Sequence, residues 1–154
     1  MRKTIIIILI QLIFLSCNQK NRDSVTEVIN DVEFTQALNN STEIVFLIQK
    51  EKQHEYARED SAFVLTENYA AINNVQIQKF KSLFNDSEKT AYCCCPRSNY
   101  MIVFYNGKEK IDTYFADTTE LKDKVIVFEK GYQSSQKIDK SLWKNFMAEV
   151  KIKR

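Results

Sequence analysis

The stretch SNYMIVFY, the dipeptide Asn106-Gly107 and the stretch KEKIDTYFA together predict a β-hairpin. Asn-Gly readily adopts the positive φ angles of a two-residue hairpin turn, and such a turn matches the twist of the strands it joins. With this turn, Ile102 lies opposite Ile111 and Tyr100 lies opposite Thr113. The intervening side chains of the first strand are also apolar, which predicts a central strand covered on both faces. These side chains are Met101, Val103 and Tyr105.

Three segments have the apolar spacing of amphipathic helices. The first is Ser24–Asn40, read as one helix or as two short helices broken near Asp31, in which Ser24 and Glu27 fit a capping box. The second is Asn74–Asn85, and the third follows Asp139, a good N-cap residue. Ile138 can pack onto Trp143 as a hydrophobic staple. The apolar positions are Val25, Val28, Ile29, Val32, Phe34 and Leu38, then Ile77, Phe80, Leu83 and Phe84, then Leu142, Trp143, Phe146, Met147 and Val150.

Three further apolar runs are long enough for strands and too short for helices. They are Glu43–Gln49, Ala62–Leu65 and Val125–Phe128, and Lys50–Asp60 between the first two reads as a solvated charged segment. The sequence therefore predicts an α+β fold over residues 24–154. We expect one small domain, a mostly antiparallel sheet with a central Asn-Gly hairpin, and helices at both ends.

The amino-terminal residues have the layout of a secretory signal. Basic residues Arg2 and Lys3 precede an apolar run that ends before Ser16 and Cys17. The uncharged stretch from Thr4 to Ser16 would form roughly 20 Å of helix, whereas the hydrocarbon core of a bilayer is about 30 Å thick. We therefore predict a cleaved signal rather than a membrane-spanning helix.

The end of this signal, Phe14-Leu15-Ser16-Cys17, resembles the lipobox of bacterial lipoproteins. The resemblance covers only residues 1–17 and implies that residues 1–16 are removed and that Cys17 carries the lipid. Residues 17–23 would then be the lipidated cysteine and a short tether. The same resemblance implies that an aspartate after the lipidated cysteine retains some lipoproteins in the inner membrane. This chain has Asn18 at that position, so we expect it in the outer membrane of a Gram-negative bacterium, facing the periplasm. The alternative is an ordinary signal peptide in which Cys17 has no role.

Composition excludes several classes of partner and reaction. Arg2 and Lys3 are two of the 22 Lys and Arg, and without them the charges balance the 20 Asp and Glu, so no positive field favours nucleic acid. Glycine occurs only at positions 107 and 131, which excludes phosphate-binding loops and nucleophile elbows. The only histidine, His54, lies in the charged segment and is expected to be exposed. We predict no catalytic residues and no cofactor.

Cys93, Cys94 and Cys95 are the remaining thiols. An oxidising compartment allows disulfides, but three cysteines leave at least one unpaired. Neighbouring Cα atoms are 3.8 Å apart, below the disulfide minimum of about 4.4 Å, so a bridge between adjacent cysteines is strained. Cys93 and Cys95 would lie roughly 6.6 Å apart on one side of a strand, near the upper limit. That pairing is the least unfavourable one.

Metal binding and structural packing are the other roles open to these cysteines. Consecutive thiolates cannot all converge on one ion, and a set of Cys93, Cys95 and His54 would suit a soft ion such as Cu(I) better than zinc. A thioredoxin-like site would need CxxC, which this chain lacks. The third role is as small hydrophobic residues at the end of a strand, where Pro96 stops the ladder.

These patterns predict a lipid-anchored envelope protein that binds an unknown protein or small molecule, or supports an assembly, without catalysis. Its contact with the membrane would run through the lipid on Cys17. The alternative hypothesis is a thiol redox or soft-metal-handling lipoprotein that uses Cys93–Cys95.

Overall fold

The computed structural model describes residues 32–49, 65–71, 74–90, 98–131, 135–150 and 152–153. Helix α1 covers residues 32–40, α2 covers Asn74–Ser82 and α3 covers Lys140–Glu149. The strands are β1 Glu43–Gln49, β2 Leu65–Ala71, β3 Glu88–Thr90, β4 Tyr100–Asn106, β5 Glu109–Asp117, β6 Lys124–Glu129, β7 Ser135–Asp139 and β8 Ile152–Lys153. The predicted α+β class is confirmed.

The strands form one sheet in the order β3-β7-β6-β5-β4-β1-β2-β8, and every pairing is antiparallel. Strands β4 to β7 follow one another as a meander. Helix α2 lies between β2 and β3 in the chain, and α3 lies between β7 and β8, so each helix links opposite sides of the sheet. Strand β4 lies between β5 and β1, which confirms the prediction of a central strand.

One face of the sheet, called the first face below, carries all three helices. Phe46 of β1 packs edge-on against Phe80 of α2 and Trp143 of α3, with ring centroids 5.3 and 6.0 Å apart. Burial of such large apolar rings is the main stabilising contribution to the fold. The fully buried members of this cluster include Ile44, Phe46, Phe80, Ile102, Phe104, Val125, Ile138 and Trp143.

The opposite face of the sheet, called the second face below, is also buried at its centre. Its cluster consists of Met101, Val103, Phe115, Ile126 and Phe128, each between 2 and 6% exposed. Phe115 and Phe128 stack across β5 and β6, with centroids 5.8 Å apart and planes 24° apart. Strand β4 is therefore covered on both faces, as its sequence predicts.

The hairpin β4–β5 forms, but its predicted turn and register are wrong. Asn106 pairs with Glu109, so the connecting residues are Gly107 and Lys108. Gly107 is the residue with positive φ, at 60°. Pairing with the residues before β1 lengthens β4, because Thr42 donates its N–H to the Tyr105 carbonyl and accepts a bond from the Gly107 N–H.

The register error reverses which β5 side chains reach each face. After an irregularity between Phe104 and Tyr105, Ile102 lies opposite Tyr114 and Tyr100 opposite Ala116, each three residues from the predicted partner. An odd shift exchanges the two faces of a strand. The observed register buries Tyr114 on the face that carries the helices and leaves Ile111 exposed. We attribute this choice of register to the larger apolar area that it buries.

Sequence patterns place β2 wrongly and do not predict β3, β7 and β8, because these strands are largely polar. The predicted strand Ala62–Leu65 corresponds to β2, which begins only at Leu65; residues 62–64 lie outside the described part of the chain. Strands β3, β7 and β8 carry no apolar run. Their backbone bonds to neighbouring strands hold them in the sheet, and this is information that their side-chain pattern does not carry.

The helices agree better with prediction. Asp139 caps α3, and its Oδ1 accepts bonds from the N–H groups of Ser141 at 2.8 Å and Leu142 at 3.1 Å. Helix α2 ends three residues earlier than predicted, in a turn. Val32 and Leu142 are each 49% exposed and were wrongly assigned to the buried stripes. Residues 24–31 of the first predicted helix lie outside the described residues.

Candidate functional site

The residues that the sequence singled out all lie outside the described part of the chain. This holds for Cys17, for Cys93, Cys94 and Cys95, and for His54. Their predicted roles in lipidation, in disulfide formation or metal binding, and as an exposed surface residue therefore stay predictions. The geometric search for a site rests on the described residues alone.

Among the described residues, the strongest candidate for a functional site is a shallow depression beside Tyr114. It lies where α1 meets β5, β6 and β7, and its volume is about 220 Å³, part of it open solvent. The space that it encloses, about 10 Å³, is at most the size of one water molecule, so a partner can contact the depression at its surface but the depression cannot enclose a small molecule. Its lining residues are Phe34, Tyr114, Val127, Phe128, Glu129, Ser135 and Gln136.

Tyr114 lines this depression together with the polar residues Glu129, Ser135 and Gln136. Tyr114 is 5% exposed, and burial raises its pKa well above the ordinary value of 10.0. The charge of Asp112, a hydrogen bond to Asp112, and the charges of Glu33 and Glu129 raise the pKa further. Tyr114 is therefore a neutral hydrogen-bond donor at physiological pH, and it donates to the carboxylate of Asp112.

The electrostatic field around Tyr114 is negative, since three carboxylates contribute to it. Two of them also make local backbone contacts: Asp112 accepts a bond from the Thr113 N–H at 2.7 Å, and Glu129 accepts one from the Gly131 N–H. Carboxylates beside aromatic rings attract ammonium and guanidinium groups. Chemically, the depression can receive a cation, and its phenol holds its proton too tightly to act as a base.

A second polar feature is the loop between β5 and β6, which side-chain hydrogen bonds hold at both ends. Asp117 is 1% exposed, and its Oδ1 accepts bonds from the N–H and hydroxyl of Thr119 and from the N–H of Glu120. Its Oδ2 is buried without a hydrogen-bond partner. The Lys140 Nζ donates to the carbonyls of Leu121 and Lys122. These bonds hold the loop in place, so Asp117 and Lys140 both have structural roles.

Within the described ranges, no group of three or more His, Cys, Asp and Glu residues is placed to hold a metal ion. In the same residues, no helix is long and apolar enough to cross a membrane. The sequence contains a weak signal for Asp117, a carboxylate that directly ends the apolar run TYFA. It contains none for Tyr114, whose surroundings depend on the register of β5.

Comparisons with protein-family models, with curated proteins and with solved structures find no match to this chain.

Proposed function

We propose that this protein is a lipoprotein of the bacterial cell envelope, anchored through Cys17, whose α+β domain binds a partner without catalysis. The observation that carries the proposal is the sequence Phe14-Leu15-Ser16-Cys17 at the end of a basic and then apolar segment. Several acyl chains hold a protein at a membrane far more firmly than one chain does. By the sorting rule that the resemblance implies, Asn18 favours the outer membrane, with the domain facing the periplasm.

The depression beside Tyr114 supports a protein partner over a small molecule. It is too shallow to enclose a small molecule, and the carboxylates of Glu33, Asp112 and Glu129 favour contact with a basic side chain at its surface. The partner we propose therefore places a lysine or arginine beside the carboxylates that surround Tyr114. The binding face would lie at the α1, β6 and β7 side of the domain.

Metabolic labelling with an alkyne analogue of palmitate tests the anchor. We expect the full-length protein to be labelled and Cys17→Ala to abolish the label, because the acyl chains attach at this sulfur. Cys94→Ala is the matched control and should leave labelling intact. Retained label on Cys17→Ala would refute the anchor. Where the aspartate sorting rule operates, Asn18→Asp should move the protein to the inner-membrane fraction.

Site-specific photocrosslinking in intact cells tests the binding face. A photoreactive residue at Gln136, in the lining of the depression, should give a discrete crosslinked product that high salt weakens. The same residue at Lys144, exposed on α3, is the control and should give none. Equal products from both positions, or none from Gln136, would reject this face as the binding surface.

A further inference from the structure

The dipeptide Asn106-Gly107, at the tip of the β4–β5 hairpin, is a chemically labile sequence as well as part of a turn. The backbone nitrogen that follows an asparagine can attack the side-chain amide carbon, and glycine hinders this attack least because it has no Cβ. Asparagine is for this reason among the thermolabile residues of proteins. Asn106 is the only asparagine of the chain that a glycine follows.

Both residues are exposed, and the surroundings of the turn leave room for the reaction. A Cβ placed on Gly107 would meet no atom within 4 Å, so the glycine nitrogen is not shielded by packing. Asn106 pairs with Glu109 across the hairpin, and Gly107 lies beyond this last pair. Water therefore reaches the amide group of Asn106 and the backbone of Gly107, and protection has to come from hydrogen bonding.

A hydrogen bond to Thr42 holds the nitrogen that would react. The Gly107 N–H donates to the Thr42 Oγ1 at 2.7 Å, although 65 positions separate the two residues in the sequence. Thr42 is itself held by the carbonyl of Tyr105, which accepts its N–H at 2.8 Å and its hydroxyl at 3.4 Å. The hydroxyl proton therefore points to Tyr105, and a lone pair of the same oxygen faces the Gly107 N–H.

Two features of this arrangement oppose the reaction. The Gly107 nitrogen becomes a nucleophile only when it loses its proton, and the bond to Thr42 holds that proton in place. Closure of the succinimide ring also requires the Asn106 backbone to rotate out of the extended conformation of β4, which breaks the pairing with Glu109. The reaction therefore needs a local opening of the hairpin in which both contacts are lost.

We infer that Asn106 is a site of spontaneous deamidation and that Thr42, through its bond to the Gly107 N–H, sets the rate of this reaction in the folded protein. The Gly107 nitrogen forms a bond to the side-chain carbon of Asn106. The side-chain nitrogen leaves as ammonia and takes up the proton that the Gly107 nitrogen loses. Water then opens the succinimide and leaves either aspartate or isoaspartate, so water is the only other reactant.

The modification would weaken the end of a strand that is buried on both faces. An aspartate at position 106 would lie directly opposite Glu109, and like charges in a cross-strand pair are destabilising. An isoaspartate adds a methylene group to the backbone and displaces Gly107 from Thr42. The bond to Thr42 therefore protects the hairpin chemically as well as structurally. The inference is independent of the lipid anchor and of the depression beside Tyr114.

Mass spectrometry of the full-length protein after storage at mildly alkaline pH tests the site. One sample is kept native and one in guanidinium chloride, and both are digested in mild acid, where further deamidation is slow. Cleavage after Arg97 and Lys108 releases the peptide SNYMIVFYNGK, in which fragment ions distinguish Asn106 from Asn99. We expect Asn106 to deamidate in guanidinium chloride and about fivefold or more slowly in the native protein. An intact Asn106 in guanidinium chloride, or equal rates in the two samples, would overturn the inference.

Two variants of Thr42 identify the protecting bond. Thr42→Val replaces the hydroxyl by a methyl group of similar size. We expect the native variant to deamidate about two- to tenfold faster than wild type, which is the factor that one hydrogen bond contributes. Thr42→Ser keeps the oxygen and should deamidate at the wild-type rate. The same rate in Thr42→Val and wild type, or equal acceleration in both variants, would refute the role of Thr42.

A variant destabilised elsewhere separates local opening from global unfolding. Asp139→Ala removes the cap of α3 and leaves the residues of the turn unchanged. At denaturant concentrations that equalise the global stabilities of Asp139→Ala and Thr42→Val, Thr42→Val should still deamidate faster at Asn106. Equal rates would mean that global unfolding limits the reaction, and the role assigned to Thr42 would be wrong.

Discussion

Tyr114 of β5 packs edge-on against Phe34 of α1, with ring centroids 4.8 Å apart and planes at 72°. The contact joins α1 to the sheet, and both residues line the depression that we propose as a binding site. Phe34 also contacts Phe84 beyond α2 at 4.8 Å, so three elements meet at this point. The shape of the proposed site therefore depends on the same rings that stabilise the fold.

Removal of the Tyr114 hydroxyl should weaken the fold and change its response to alkali. Tyr114→Phe loses the bond to Asp112, and we expect unfolding to become easier by about 1 kcal/mol near neutral pH. Because the folded-state pKa is raised above 10.0, the unfolded state loses its proton first as the pH rises. Wild-type stability should therefore fall above about pH 10 more steeply than that of Tyr114→Phe.

Urea denaturation at pH 8 and pH 11 measures this difference. Tyr100 also has a pKa raised by burial, so a residual slope is expected in Tyr114→Phe. Parallel pH profiles of the two proteins would contradict the assignment of Tyr114 as a buried neutral phenol.

The N-cap of α3 should depend on the charge and shape of Asp139. Asp139→Ala removes the acceptor for the Ser141 and Leu142 N–H groups and should lower the thermal midpoint, whereas Asp139→Asn keeps an acceptor and should lower it less. These bonds lower the pKa of Asp139, so its stabilising effect is present above the ordinary value of 3.8 and is lost as the pH falls through the lowered value. Thermal melts of wild type and Asp139→Asn should converge in strong acid.

The β4–β5 turn should tolerate asparagine at Gly107 better than alanine. Gly107 has φ +60°, and a Cβ there would meet no atom within 4 Å, so the cost of a side chain is backbone strain alone. We expect Gly107→Ala to destabilise by about 1–2 kcal/mol and Gly107→Asn by clearly less, because asparagine visits this conformation more readily. Chemical denaturation of the two variants measures the difference. Equal losses would contradict the positive φ.

Phe80 and Leu142 both lie on predicted apolar stripes of helices, but their replacement by alanine should change the free energy of unfolding by very different amounts. Phe80 is fully buried and touches the rings of Phe46 and Phe146 at 5.3 and 5.4 Å, so Phe80→Ala should cost about 3–5 kcal/mol. Leu142 is 49% exposed, so Leu142→Ala should cost at most about 0.5 kcal/mol. Equilibrium unfolding in urea compares them. A large loss on Leu142→Ala would mean that α3 is rotated relative to the sheet.

Sequence patterns predicted the elements that carry an apolar run or a helix cap of their own. Apolar runs located β1, the two strands around the Gly107 turn and β6, and the Asp139 cap located the start of α3. Prediction failed where side chains carry little information. Strands β3 and β7 are polar, and β3 at the sheet edge is held by its backbone bonds to β7. The candidate site could not be predicted, because Phe34, Tyr114 and Gln136 are brought together only by long-range packing.

The sequence by itself determined the α+β class and the capped last helix, because caps and hydrophobic spacing are read over a few neighbouring residues. The lipoprotein signal before Cys17 stays a prediction from the sequence. Only the tertiary structure decided the hairpin register, the face on which Tyr114 lies, and the parallel order of β3 and β4. These depend on which pairing buries the most apolar surface over the whole sheet.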